Sequence, residues 1–236
     1  MKIFNLNVND FGGTDNHLEE YKELFGTRWY TKRWDEIDKS KEIIGIIECI
    51  DSYSPDIVVF QEFDINSKDA NDFIKLMENR AYVLDSESVE YKRPSMTVFF
   101  IKQHIDYSYV NVGHKLNGRA FAIKVNDLTI YGTHIPPKYN GDFWNELHSF
   151  IKRISLEKYV LIGDFNTINY KNKEQLNVVL ENTQDVWKEK GNGSPISIMG
   201  DYVIASKEIN MDNVEIDSFD KKLSDHPIIQ IDIKRE

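Results

Sequence analysis

Two four-residue runs constrain this chain's fold more than any other feature. Ile57-Val58-Val59-Phe60 and Tyr159-Val160-Leu161-Ile162 are apolar at every position. Successive side chains of a strand point to opposite faces, so a run without alternation belongs in the middle of a sheet covered on both sides. Each run then stops at a polar group, Gln61-Glu62 after the first and Gly163-Asp164-Phe165-Asn166 after the second.

The rest of the chain supplies partners for such strands. Residues 2–9 alternate, with Phe4, Leu6 and Val8 on one face and Asn5, Asn7 and Asn9 on the other. Asn is depleted in strands, so a file of three suggests the floor of a polar site. Ile43, Ile44, Ile46, Ile47 and Ile50 give residues 38–53 a helical apolar face, and Ser54-Pro55-Asp56 stops it. Further helices are expected at 69–79, around Trp144–Ile154 and at 172–182. Further strands are expected at 97–102, 107–112, 119–125, 128–134, 202–206 and 228–233. Residues 16–34 look like an inserted helix and loop. Several strand neighbours are joined by connections too short for a parallel crossover. A pair of mixed sheets covered by helices follows. No repeat, linker or low-complexity tract divides the chain, so residues 1–236 are expected to form a single domain.

Composition narrows the function. Lys plus Arg is 29 against 39 Asp plus Glu, a net charge of −10. That excludes sequence-indifferent coating of nucleic acid, which needs an excess of cations, but not local handling of phosphate through a metal ion. A single cysteine, Cys49, permits no disulfide within the chain and no cysteine-based zinc site. No signal-peptide core and no stretch of apolar residues long enough to span a membrane is present, so a monomeric cytoplasmic protein is the expectation.

Chemistry is suggested by placement. Glu62, Asp164, Asp201 and Asp225 each sit where a strongly apolar strand begins or ends, in company with Asn7, His134, Asn166 and His226. Carboxylates gathered in one pocket repel, and a hard divalent cation resolves this. Mg²⁺ or Mn²⁺ suits carboxylates, amide oxygens and water. His134 and His226 have no paired zinc-ligand spacing.

At these residues the sequence resembles the endonuclease/exonuclease/phosphatase superfamily, which includes pancreatic-type deoxyribonuclease, abasic-site endonucleases, neutral sphingomyelinases and inositol-polyphosphate 5-phosphatases. The likeness covers nearly the whole chain in the family's order. Lys2-Ile3-Phe4-Asn5-Leu6-Asn7-Val8 matches its first strand, Pro55 to Glu62 its "PDIV-x-x-QE" segment, and Tyr131-Gly132-Thr133-His134-Ile135 its "NTHL" strand. Gly163-Asp164-Phe165-Asn166 is its "GDFN", Gly200 to Ser206 resembles "IDYIFVS", and Ser224-Asp225-His226-Pro227 matches "SDHxP".

The resemblance implies a deoxyribonuclease I-like, four-layer α/β sandwich (α+β), with two packed mixed β-sheets flanked by helices. It implies a Mg²⁺- or Mn²⁺-dependent phosphoesterase whose metal is held by Glu62 with Asn7 and Asp225. Asp164 would activate water, Asn166 would hold Asp164 or the phosphate, His134 would face the phosphate, and His226 would be fixed by Asp201. DNA or RNA is the leading substrate, as an endo- or exonuclease. A small phosphate ester or lipid head group is the alternative, and a non-catalytic binding module a second. Departures are that Glu87 or Glu90 must stand in for a family Glu beside His134, that Gly200 replaces an Ile, and that the chain is shorter than lipid- and inositide-acting members. Arg119 and Lys92-Arg93 are candidates to neutralise a phosphate; Trp29 and Trp34 with Arg28, Lys32 and Arg33 either meet bases or form a solvated insertion with the aromatics tucked under, the second being the leading expectation. His17, His104, His114, His148, Trp144 and Trp187 are assigned to packing or exposure.

Overall fold

The structure is a computed structural model and describes residues 1–13, 38–87, 95–113, 116, 118–181, 183–185, 200–217 and 223–234. In chain order the described elements are β1 (Lys2–Asn7), a 3₁₀ turn (Asn9–Phe11), α1 (Ser40–Tyr53), β2 (Ile57–Phe63), α2 (Lys68–Glu78), β3 (Tyr82–Leu84), β4 (Met96–Lys102), β5 (Ser108–Val110) and β6 (Ala120–Val125). They continue with β7 (Leu128–His134), α3 (Gly141–Ile154), β8 (Lys158–Asp164), α4 (Tyr170–Leu180), β9 (Gln184–Asp185), β10 (Asp201–Ala205), β11 (Met211–Asp217) and β12 (Ile228–Ile233). The strands form two six-stranded sheets, ordered β11-β12-β1-β2-β4-β3 and β5-β6-β7-β8-β10-β9.

Helix starts follow local chemistry. Ser67 caps α2 by accepting from the Ala70 N–H, Asn140 caps α3 from Phe143, and Asn169 caps α4 from Lys171. Helix α1 ends where Ser54 takes a left-handed φ of 52°.

The two unbroken apolar runs lie in β2 and β8, each inside its sheet. One face of each packs between the sheets, where Ile57, Val59, Val160 and Ile162 meet Phe99, Phe121 and Ile130. Val58 and Phe60 turn outward to Ile46, Ile50 and Phe73 of α1 and α2. Leu161 turns outward to Trp144, Leu147 and Leu176 of α3 and α4. The result is four layers, helix–sheet–sheet–helix. The sheets approach closely at Gly132, where an added Cβ would lie 2.7 Å from Val59 Cγ1.

No repeat is visible in the sequence, yet the topology repeats. The paths β1-α1-β2-α2-β3-β4 and β7-α3-β8-α4-β9-β10 correspond, each opening with a parallel strand pair bridged by a helix. The hairpins β5–β6 and β11–β12 extend the sheets by antiparallel pairing on β7 and β1. Asn7 and His134 close the first strands of the two halves, and Glu62 and Asp164 fall at or beside the ends of the second strands.

Three strands were not anticipated: β3, β9 and β11. In β11, Met-Asp-Asn-Val-Glu-Ile-Asp mixes strand-poor acids and Asn with few apolar groups, as an edge strand paired on one side only can. Strand β1 ends at Asn7, two residues early, because Asn9, Asp10 and Phe11 take left-handed φ values of 45°, 48° and 60°. The 16–34 insertion, Lys92-Arg93, Glu90, His17, His114 and Trp187 lie outside the described residues.

Candidate active site

Strict alternation along β2 would turn Glu62 toward the helical layer, after Val58 and Phe60. A bulge prevents this. The pairing with β4 shifts register between Phe60 and Phe63, and Glu62 takes φ 52°, a left-handed conformation that a non-glycine residue adopts at a cost. Its carboxylate is thereby released toward the end of the sandwich. In β8 the equivalent device is glycine. Gly163 has φ 137°, and a Cβ there would come within 2.1 Å of the Thr133 carbonyl oxygen. Gly200, at φ 90°, gives the same latitude beside the Asp164 carboxylate, where an added Cβ would lie 3.0 Å from Oδ1.

Register then gathers the chemistry. His134, Asp164 and Asp201 are direct neighbours across β7, β8 and β10. His134 Nε2 lies 3.4 Å from Glu62 Oε1 and 3.6 Å from Asp164 Oδ2. Asn7 Nδ2 reaches Glu62 Oε1 (3.3 Å), Asp164 Oδ2 (3.5 Å) and His226 Nε2 (3.4 Å). Asn166 holds Asp164 twice, through its backbone N–H at 2.8 Å and its Nδ2 at 3.0 Å. His226 Nδ1 is 2.8 Å from Asp201 Oδ2. Seven of the eight candidate residues thus form one connected cluster. The eighth, Asp225, is exposed and lies by Ser224 Oγ, with its charge felt at His226 and Asp201.

Asn7 is oriented by the backbone. The Asn9 N–H can only donate, and it donates to Asn7 Oδ1 at 3.0 Å, so the amide nitrogen faces the carboxylates. Ser224, quoted in a motif but given no role from sequence, braces both halves of the site. Its Oγ donates to the Asn7 carbonyl at 2.5 Å and accepts the His226 N–H at 3.1 Å. Beside His134 Nδ1 stands Arg119, with Nη1 at 3.4 Å, whereas Glu87 is exposed. A guanidinium only donates, so this contact favours the tautomer carrying its proton on Nε2. Below the site, Gln61 Nε2 donates to Asn5 Oδ1 at 2.9 Å in full burial.

Burial and crowding set the charges. Desolvation first, then the Asp201 and Glu62 carboxylates, push Asp164 up to about 7, against the opposing His226 charge and the Asn166 N–H. Burial works against protonation of His226, but the Asp201 carboxylate and its hydrogen bond, with Asp164 and Asp225, push it up to about 10. Ligand atoms of Glu62, His134 and Asp164 lie within 4.8 Å of one another, the only such acid–His–Cys grouping among the described residues. Surplus negative charge and an accessible carboxylate suit a hard divalent cation.

No protein-family model and no curated protein matches the sequence. Solved structures do. An AP endonuclease from Archaeoglobus fulgidus aligns over 100% of both chains at TM-score 0.68 and 13% identity. An endonuclease/exonuclease/phosphatase family protein from Leptotrichia buccalis aligns over 100% of both at TM-score 0.64 and 20% identity. The 3′ phosphatase NExo from Neisseria, solved with a product DNA hairpin, aligns over 100% of both at TM-score 0.63 and 14% identity. The chain shares the fold of these solved structures, a deoxyribonuclease I-like four-layer α/β sandwich, as the sequence resemblance implied.

Proposed function

We propose that this chain is a divalent-metal-dependent phosphoesterase that cleaves phosphodiester bonds of nucleic acid. The observation that carries this reading is the grouping of Glu62, His134 and Asp164 next to the His226–Asp201 pair. Glu62, with Asp164 close by, would hold Mg²⁺ or Mn²⁺, which when bound neutralises phosphate oxygens and polarises the phosphorus. Asp164 orients the attacking water and accepts its proton, a role that a pKa near 7 suits. Asn166 fixes both carboxylate oxygens of Asp164. His226, aimed by Asp201 through Nδ1, turns Nε2 to the phosphate oxygens. His134 donates from Nε2 to the phosphate or the departing oxygen.

Asn7 and Asp225 enter this scheme differently from the ligand roles that the resemblance implies. Asn7 presents its amide nitrogen, so we assign it to hydrogen bonding with Glu62 and Asp164. Asp225 is exposed, and we assign it to raising the charge of His226. The structural likeness to an AP endonuclease and to a 3′ phosphatase bound to a product DNA hairpin supports nucleic acid as substrate. A small phosphate ester or lipid head group is the second reading, favoured by the net charge of −10. A panel of single- and double-stranded DNA, abasic DNA, RNA, sphingomyelin and phosphate monoesters, with Mn²⁺ or EDTA, separates them. Metal-dependent cleavage of a nucleic acid is expected. Inactivity on the whole panel would sink the proposal, and turnover of monoesters or sphingomyelin alone would transfer it to the second reading.

A further inference from the structure

Two loops leave the catalytic floor together, one after His134 at the end of β7 and one after Asp164 at the end of β8. Hydrogen bonds sew them to each other. Asn166 Nδ2 donates to the Ile135 carbonyl at 2.7 Å, and Asn169 Nδ2 to that of Pro137 at 2.9 Å. Asn172 Nδ2 donates to the carbonyls of Pro136 at 3.0 Å and Asn166 at 3.2 Å. Asn172 is itself wholly buried, and its Oδ1 takes the Trp144 indole N–H at 2.9 Å.

This rigid support displays large apolar groups to solvent. Ile168 is 77% exposed, Tyr170 72% and Tyr139 40%. None of the three belongs to a hydrophobic core cluster. Lysines accompany them: the Lys171 ammonium lies 5.4 Å from the centre of the Tyr139 ring, and Lys138 and Lys173 are exposed. The three stand on two loops joined by the Asn169–Pro137 hydrogen bond, and exposed apolar groups on adjoining loops beside a site suit a binding surface.

We propose that Tyr139, Ile168 and Tyr170 form a stacking ledge for unpaired bases flanking the scissile phosphodiester, with Lys138, Lys171 and Lys173 meeting the adjoining phosphates. The inference rests on the phosphoesterase reading of the neighbouring site and narrows its substrate to single-stranded or frayed nucleic acid. A π-face accepts any unstacked base, whereas a duplex keeps its base faces hidden. The charge balance agrees. A chain of net charge −10 offering three lysines here cannot bind by broad counterion release, so stacking must supply much of the affinity. The salt dependence follows: three phosphate contacts on a single strand give a slope of about −2 in log K against log salt.

Anisotropy of a fluorescein-labelled single-stranded oligonucleotide, measured in EDTA, reads binding without turnover. Tyr139→Ser, Ile168→Ser and Tyr170→Ser, singly and combined, remove the exposed faces and leave the cores intact. The combined variant is expected to bind at least about tenfold more weakly. Its kcat/KM on the oligonucleotide, relative to that on bis(p-nitrophenyl) phosphate, is expected to fall in parallel. An unchanged affinity, an equal preference for duplex, or displacement of the oligonucleotide by phosphatidylserine vesicles would each overturn the ledge. If the wild type binds through the ledge but hydrolyses neither substrate, the phosphoesterase reading fails and the ledge stands. If it hydrolyses the ester while binding ignores the three substitutions, the reverse holds.

Discussion

Glu62 combines the metal-holding role proposed for it with a structural cost. Its left-handed backbone, φ 52°, turns a carboxylate out of the strand pattern and into the site. Glu62→Gln keeps the shape and the strain and removes the charge, so metal-dependent turnover should fall to background while the thermal melt stays within a few degrees. Retained turnover would dislodge Glu62 from its assigned role. Asp164→Asn is expected to cost about 10²–10⁴-fold in kcat while Mn²⁺ still binds, as a lost general base would. Gly163 carries the complementary constraint: Ala there meets the Thr133 carbonyl at 2.1 Å in a φ 137° backbone. Gly163→Ala should lose about 2–4 kcal/mol of stability, read as a lower urea midpoint at unchanged slope. The placement of Glu62 and Asp164 was legible in the sequence, because acids at the ends of apolar runs are conspicuous, whereas the backbone demand on Gly163 was not. The bulge that aims Glu62 was not, since register against β4 is a relation between distant segments. The exposure of Asp225 and the direction of the Asn7 amide are likewise set by tertiary contacts that a linear pattern does not carry.

At the level of elements, Asn172 joins α4 to α3 and to both site loops. Asn172→Ala would leave the Trp144 indole N–H and the carbonyls of Pro136 and Asn166 without this partner in a buried setting. A loss of about 1–3 kcal/mol is expected, with a fall in kcat because Asn166 is no longer held. Full activity in the variant would show that the two loops keep their geometry unaided. Elements with strong periodicity were readable: β2 and β8 from unbroken apolar runs, α1 from its isoleucine face, β7 from alternation ending at Pro136-Pro137. The short or edge strands β3, β9 and β11 were not, because an edge strand buries little and needs little apolar character. The turn at Asn9–Phe11 is hidden for a different reason: the alternation of the first strand continues past the residue where the backbone leaves it.

Across the whole molecule, the two topologically equivalent halves each deliver a polar residue and a carboxylate to the same end of the sandwich, Asn7 with Glu62 and His134 with Asp164. Gathering them there costs stability in the absence of metal, and the pH dependence follows in sign. Asp10, raised to about 6 by burial against the opposing charge of Lys39, and Asp164, raised to about 7, contribute stability that is complete below the ordinary carboxylate range and is lost as pH climbs through those values. His226, raised to about 10, contributes stability that is complete below the ordinary histidine pKa and is lost as pH rises toward 10. In EDTA the melting temperature should therefore decline from about pH 5 to about pH 8, and Asp164→Asn should flatten the part that ends near neutrality. Added Mn²⁺ should raise the melting temperature more at the alkaline end, because a bound cation competes with those protons. A shift by Mn²⁺ that ignores pH would detach the metal from Asp164. The most direct measurement is anomalous diffraction at the manganese edge from crystals soaked in Mn²⁺. A single strong peak within bonding distance of the Glu62 carboxylate, in the space it shares with Asp164 and His134, is the predicted result. A peak elsewhere, or none at millimolar Mn²⁺, would contradict it.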